Sequence, residues 1–288
     1  MFLGYNTNGF AHHRLEDAVD ILAAQGYRGI AITPDVHHLN PFEPDYPGRV
    51  AEFAELLADR GLGCVVETGA RFLLNAHFKH QPTLISKMPE DREYRFEFLS
   101  QDCVTLAKAL NADCVSFWSG TATDDAAPST ILDRLVDQCI RLADFAAERG
   151  VKLAFEPEPG MFIDTMEKFA ELHGRVNRPN FGLTIDIGHL VCQGEVPVSE
   201  SLVHWKDWLW NVHIDDMKPG VHDHLLFGEG SVDFADVFSG LKNAGYSGGV
   251  YVELSRHSHN AVATARQSME FLKKLAESVD SSDNPTFR

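Results

Sequence analysis

The sequence predicts an α/β protein built as a single (β/α)8 barrel, and three observations carry that expectation. Eight short apolar runs alternate with longer amphipathic segments from the first residues almost to the last. The amphipathic segments close in glycine, where a helix C-cap is expected. A length of 288 residues is usual for such a barrel and long for other single domains. Near-continuous apolar strands joined by helices imply a parallel sheet covered by those helices, and eight units favour closure over an open sheet. The G-x-G-x-x-G turn expected of an open dinucleotide-binding sheet does not follow any strand.

The strands are expected at 2–6 (FLGYN), 29–33 (GIAIT), 63–68 (GCVVET), 113–118 (DCVSFW), 152–158 (KLAFEPE), 181–186 (FGLTID), 211–215 (NVHID) and 250–254 (VYVEL). Between them, 15–26, 50–61, 132–150 and 234–245 carry the clearest helical patterns. Three connections, 34–48, 69–92 and 216–232, exceed what a barrel needs. In a barrel all three fall on the C-terminal face, where loops build the site and its lids. Residues 1–278 are thus expected to form one barrel domain. The polar, proline-bearing 279–288 is expected to be a flexible tail.

Composition narrows the function classes. The formal charge of −17, from 25 Lys+Arg against 42 Asp+Glu, repels polyanions, and no dense basic run offsets it. Nucleic acid is therefore not expected as a partner; a small molecule held with a cation fits better. No apolar run resembles a membrane span, and Met1–Phe10 reads as mature protein rather than a leader, so the expected compartment is the cytoplasm. Five scattered cysteines without a C-x-x-C pair argue against a disulfide framework or a thiolate zinc site. Self-association is left open.

The candidate chemistry sits at strand ends. Strand five ends in Glu156, strand six in Asp186, strand seven in His213 and strand eight in Glu253. A barrel gathers consecutive strand ends into a ring, where three carboxylates would raise one another's pKa values unless a cation neutralised them. Oxygen-rich ligation with one imidazole suits Mn2+, with Mg2+, Co2+, Fe2+ or Zn2+ as alternatives. Any one of these acids alone would read as the N-cap of the next helix; four on successive strands read as a metal site. His222, Asp223 and His224 precede a Gly-Glu-Gly turn in the loop after strand seven, and His189 stands three residues beyond Asp186. Asp215 and Asp216 read as loop or capping groups.

With D-x-G-H at 186–189, H-x-x-D at 213–216 and H-x-x-x-G-E-G at 224–230, the chain resembles the xylose isomerase-like TIM barrel superfamily over nearly its whole length. That group includes sugar phosphate isomerases and epimerases and the abasic-site nucleases of AP endonuclease family 2. The resemblance implies that Glu156, Asp186, His213 and Glu253 ligate a metal. It also implies that Glu156 and Glu253 form the acid/base pair on opposite faces of the substrate, and that His189 contacts a substrate oxygen. In the nuclease branch His189, His213 and His224 match positions that hold further metals, with His222 where that branch has Asp. Two of its other histidines are missing, since strands three and four end in Val-Glu-Thr and Phe117-Trp118. A second-metal or substrate-binding role for His189, His222 and His224, with Glu67 as an added ligand, stays open.

Arg71, Lys79 and His80 in the loop after strand three could grip a phosphate or carboxylate, and Trp118 could wall a sugar ring. The expected function is a divalent-metal-dependent isomerase or epimerase of a sugar, sugar phosphate or cyclic polyol ketone. It would act by proton transfer through a metal-stabilised enediolate. The alternative is a di- or trinuclear metal phosphoesterase acting on a small phosphate ester, and a silent ligand-binding barrel is a third reading.

Overall fold

Eight strands hydrogen-bond in parallel around a closed ring in the computed structural model, which describes residues 1–279. The chain runs β1 (Phe2–Asn6), α1 (Leu15–Ala24), β2 (Gly29–Ile32), α2 (Tyr46–Arg60), β3 (Gly63–Glu67) and α3 (Pro89–Glu97). Helix α3 continues through a π-type segment (Phe98–Val104) into α4 (Thr105–Ala109). Next come β4 (Val115–Phe117), α5 (Pro128–Ala147), β5 (Leu153–Phe155), α6 (Met166–Val176), β6 (Phe181–Asp186), α7 (Ile187–Gln193) and α8 (Val198–His204). The chain closes with β7 (Leu209–Ile214), a hairpin of β8 (Asp216–Lys218) and β9 (Val221–Leu225), α9 (Phe234–Asn243), β10 (Gly249–Val252) and α10 (Ala261–Val279). The ring order is β1-β10-β7-β6-β5-β4-β3-β2. This is the (β/α)8 barrel the sequence predicts.

The differences have local causes. Strand β5 stops at Phe155 rather than 158, because Pro157 has no N–H to donate to a ladder. The stretch 216–232, expected as loop, contains the antiparallel hairpin β8–β9. The tail expected at 279–288 lies outside the described residues except for Val279, which ends α10. The helix stop signals behave as read: Gly61 takes a left-handed φ of 61° and its N–H caps the carbonyls of Ala58 and Leu57. Among the described residues no helix is long and apolar enough to cross a membrane.

Period-two alternation divides each strand between two cores. Outward residues such as Phe117, Phe155 and Phe181 pack against the helices, with Phe155 5.3 Å from Phe117 and 6.0 Å from Phe169 of α6. A separate inner cluster of Ala31, Val65, Cys114, Ala154 and Tyr251 fills the bottom of the barrel. The Tyr251 ring occupies space left by glycines on three strands: a Cβ on Gly4, Gly29 or Gly249 would approach it to 2.3, 3.1 or 2.5 Å. One layer higher the interior turns polar, and Ser116 of β4 meets Thr184 of β6 across it at 2.8 Å. Apolar bulk thus closes the bottom and leaves the C-terminal ends free for chemistry.

Gly4→Ala therefore forces the Tyr251 ring to shift and is expected to cost about 1–3 kcal/mol, as over-packing of a close-packed interior does. The urea midpoint should fall with little change in slope.

Candidate metal centre and active site

The inward-facing residue at or just beyond the end of each of four neighbouring strands is the next polar side chain above that layer. Glu156 follows β5, Asp186 ends β6, His213 lies on β7 and Glu253 follows β10. One ligand atom from each lies within 4.8 Å of the others. His213 is fully buried and its Nδ1 sits 3.0 Å from Glu156 Oε1 and 2.9 Å from Glu253 Oε2. Burial alone would lower its basicity, but the two carboxylates hold its pKa well above the usual histidine range. Burial would likewise raise Glu253, yet His213, and Asn8 donating to Oε1 at 2.9 Å, keep it ionised with a depressed pKa. Glu156 is pushed up by its own burial. Asn211 lies 3.1 Å from His213 Nε2 and fixes the ring.

These residues fit a divalent ion. Asp186 accepts the His189 N–H with Oδ1 at 2.9 Å, so it is the N-cap of α7, while its Oδ2 is buried with no hydrogen-bond partner. The capping and ligand readings of Asp186 use different oxygens and are both available. Three carboxylates and one imidazole form a hard, oxygen-rich donor set. Their spread is close to the about 4 Å that opposite ligands span at bonds of about 2.1 Å.

A second group lies beside the first. His189, His222 and His224 bring donor nitrogens within 4.8 Å of one another, and His189 Nε2 is 3.1 Å from His222 Nε2. Burial lowers His189, and burial with the neighbouring histidines lowers His222 to about 4, so both rings are neutral near pH 7. His224 differs: burial opposes its charge, but Asp215 raises it to about 10. Asp215 was expected as a loop or capping group and is instead fully buried, with Oδ2 against His224 Nδ1. Its approach depends on the glycine of D-x-G-H, because a Cβ on Gly188 would fall 2.1 Å from Asp215 Oδ1.

Asp216 is the loop group the sequence suggests. Its carboxylate accepts N–H bonds from Met217, Gly228, Gly230 and Val232 at 2.8–3.1 Å. This staple joins the H-x-x-D motif to the Gly-Glu-Gly turn, and a Cβ on Gly230 would lie 2.2 Å from Asp216 Oδ1. The hairpin that presents His222 and His224 is held at its base in this way.

Glu156 and Glu253 of the first group and all three histidines of the second line one cavity of about 430 Å3, within the usual range for small-molecule sites. Arg71 and Trp118 line it as the sequence suggested, with Trp118 backed by His80 at 5.1 Å and by the buried Arg95 guanidinium at 4.5 Å. Glu67 also lines it but joins neither ligand group; it accepts the Gly69 N–H at 2.7 Å and meets Thr33 Oγ1 at 3.0 Å. The same hydroxyl is 2.9 Å from Asn6 Oδ1, and one hydroxyl hydrogen cannot serve both oxygens. Burial, then Glu253 and Glu156, raise the Glu67 pKa to about 8, against His213 and the Thr33 hydrogen bond, which lower it. Sequence reasoning missed Asn8, Glu158 and Arg256, which also line the cavity. Each sits within three residues of a strand-end signal, but nothing in one-dimensional spacing turns it inward.

The (β/α)8 barrel thus carries a candidate four-donor metal site at its C-terminal mouth. A family model described as xylose isomerase-like TIM barrel matches residues 19–275, and the chain belongs to that family. L-ribulose-5-phosphate 3-epimerase UlaE of Salmonella paratyphi A is 32% identical over 131 residues, covering 45% of this chain and 46% of that protein. The uncharacterised protein MJ1311 of Methanocaldococcus jannaschii is 30% identical over 156 residues, covering 53% and 52%. The chain spans about half the length of the curated relatives it matches. Among solved structures, a D-tagatose 3-epimerase-like protein superposes with a TM-score of 0.79 at 22% identity, covering 98% of this chain and 99% of that one. The IolI protein, solved with a zinc atom, superposes at 0.77 with 20% identity, covering 99% and 100%.

Two outcomes follow from this geometry. Asp216→Ala strands four amides and is expected to cost about 1–3 kcal/mol locally, seen as faster hydrogen exchange at Gly228, Gly230 and Val232 while barrel amides stay protected. Glu67, with its folded pKa at about 8 against an ordinary 4.5, binds more protons folded than unfolded between those values. Its contribution is therefore lost as pH rises through that window. Glu67→Gln, which mimics the neutral acid, should flatten the decline in metal-free stability between pH 4.5 and 8 relative to wild type.

Proposed function

We propose that this protein is a divalent-metal-dependent epimerase or isomerase of ketose-type sugars, with Mn2+ as the first assignment for its ion. The observation that carries the reading is the placing of Glu156 and Glu253 on one His213 nitrogen at the floor of a single cavity, beside the free oxygen of Asp186. Glu156, Asp186, His213 and Glu253 would hold the ion. When bound it supplies Lewis-acid stabilisation of negative charge developing on a substrate carbonyl oxygen. The epimerase relatives and fold neighbours support the same class.

The chain's own groups supply the rest. Glu253, kept ionised by His213 and Asn8, takes the proton from the carbon beside the carbonyl. Glu156, the other carboxylate on His213 Nδ1, returns a proton to the opposite face, which inverts that carbon. Transfer back to a neighbouring carbon would give isomerisation instead. His224, held as a cation by Asp215, faces the same cavity and donates to substrate oxygens. His189, neutral and donating from Nδ1 to the Pro157 carbonyl at 3.2 Å, leaves Nε2 to accept a hydrogen bond from a hydroxyl. Trp118 and the loops exclude water from the reacting carbon.

The His189, His222 and His224 group favours a second reading, a multinuclear metal phosphoesterase. Metal content and proton exchange separate the two. The epimerase reading expects one tightly held ion per chain and solvent deuterium entering a ketose beside its carbonyl. Chelation should abolish that exchange, and Glu253→Gln should lower it at least about 100-fold with the circular dichroism spectrum retained. Two or three ions per chain with phosphate release and no deuterium uptake would establish the phosphoesterase instead.

A further inference from the structure

Glu253 keeps its two oxygens in different settings. Its Oε2 lies 2.9 Å from Nδ1 of the fully buried His213, at the point where the other candidate ligands converge. Its Oε1 accepts a hydrogen bond from Asn8 Nδ2 at 2.9 Å. Of the four candidate ligands Glu253 is the least buried, with its side chain 14% exposed against 4% for Glu156 and 0% for Asp186 and His213. A carboxylate can turn one oxygen or both toward a cation, so something has to fix which of these Glu253 does.

Asn8 is built into its place. It belongs to the 3-10 turn after β1 (Thr7–Phe10), and β1 and β10 are neighbours where the ring closes. Its N–H donates to Asn6 Oδ1 at 3.1 Å, and its carbonyl accepts from Ser258 Oγ at 3.0 Å. Ser258 lies on the turn that follows β10 (Ser255–Asn260), in the same connection as Glu253. One backbone link and one side-chain link therefore tie this first turn to the last, across 245 residues between Asn8 and Glu253. The Asn8 Oδ1, by contrast, is buried with no hydrogen-bond partner among the described residues. An unpaired buried acceptor is destabilising, and an apolar residue of the same size would avoid it. The feature that asparagine adds over such a residue is its donor to Glu253.

We propose that Asn8 is a positioning residue that divides the work of Glu253, keeping Oε2 on the candidate metal centre and Oε1 clear of it as the oxygen that takes the substrate proton. This rests on the epimerase reading and names the residue that sets its base. An oxygen bound to a cation is a poor proton acceptor, whereas one that accepts a single hydrogen bond from a neutral amide keeps a second lone pair. In the step itself the C–H bond beside the carbonyl breaks, its electron pair stays on the substrate as the enediolate, and the proton passes to Oε1. Without the Asn8 donor, Oε1 is free to turn onto the ion and is lost as a base.

The test compares the whole wild-type chain with Asn8→Ala and with Asn8→Leu, which keeps the volume and removes both polar atoms; circular dichroism checks that each is folded. Mn2+-loaded protein is followed by solvent deuterium exchange into a ketose, and Co2+ alone is titrated into metal-free protein and read by visible absorption. Both variants should lower kcat for exchange about 10–100-fold, as loss of one hydrogen bond to a charged group does, with KM within about threefold of wild type. Both should bind one Co2+ per chain as tightly as wild type, with weaker absorption bands, because a further carboxylate oxygen raises the coordination number. Loss of the ion overturns the inference, since Asn8 would then support the centre as a whole. Wild-type kcat in both variants overturns it, and so does a rise in KM alone or a Co2+ spectrum identical to that of wild type. If wild-type protein exchanges no ketose proton, the epimerase reading falls, and the hold of Asn8 on Glu253 stands or falls on the Co2+ spectrum and affinity. Wild-type protein that binds no Co2+ overturns both.

Discussion

The site depends on positive charge at one point, where Glu156 and Glu253 converge on His213 Nδ1 inside the barrel. Two ionised carboxylates this close in a low-dielectric interior repel strongly, and the imidazolium between them holds them together. An ion at the same place would do this with twice the charge and also use Asp186 Oδ2. The donor set thus fits a cation, and the surrounding polar layer of Asn8, Asn211, Ser116 and Thr184 packs around it. Such supporting groups orient ligands rather than add affinity of their own.

The motifs of the sequence acquire separate physical meanings. In D-x-G-H the aspartate caps a helix with one oxygen and leaves the other free, and the glycine makes room for Asp215. In H-x-x-D the histidine belongs to the centre, whereas Asp216 gathers four amides from its own strand and the Gly-Glu-Gly turn. The turn glycines carry the amides that Asp216 accepts, and Gly230 also leaves the space that carboxylate occupies. One stretch of chain therefore supplies a candidate ligand, a staple and the hairpin that carries His222 and His224.

Polarity is distributed along the barrel axis as well as across it. Tyr251 and small residues fill the bottom, hydroxyl and amide groups form a middle layer, acids crowd the floor of the cavity and cations ring its mouth. Burial and neighbouring charges shift proton affinities in opposite senses at neighbouring positions: burial raises Glu67 and lowers His222, whereas His213 lowers Glu253 and Asp215 raises His224 against the effect of burial. Groups with the same intrinsic chemistry thereby take up different roles within one cavity.

The alternation of apolar runs and amphipathic segments fixed the barrel, because periods of 2 and 3.6 are written locally and eight repeats leave few ways to pack. It also exposed Glu156, Asp186, His213 and Glu253, since a polar residue ending a buried strand stands out against its neighbours. What the sequence alone did not reach is whatever depends on two distant segments meeting. The pairing of Asp215 with His224, the crowding of Glu67 by Glu253 and Glu156 and the approach of Arg256 to the cavity all rest on such meetings. Hydrogen bonds, ion pairs and close packing need contact distances, and those distances come into being only when the barrel closes.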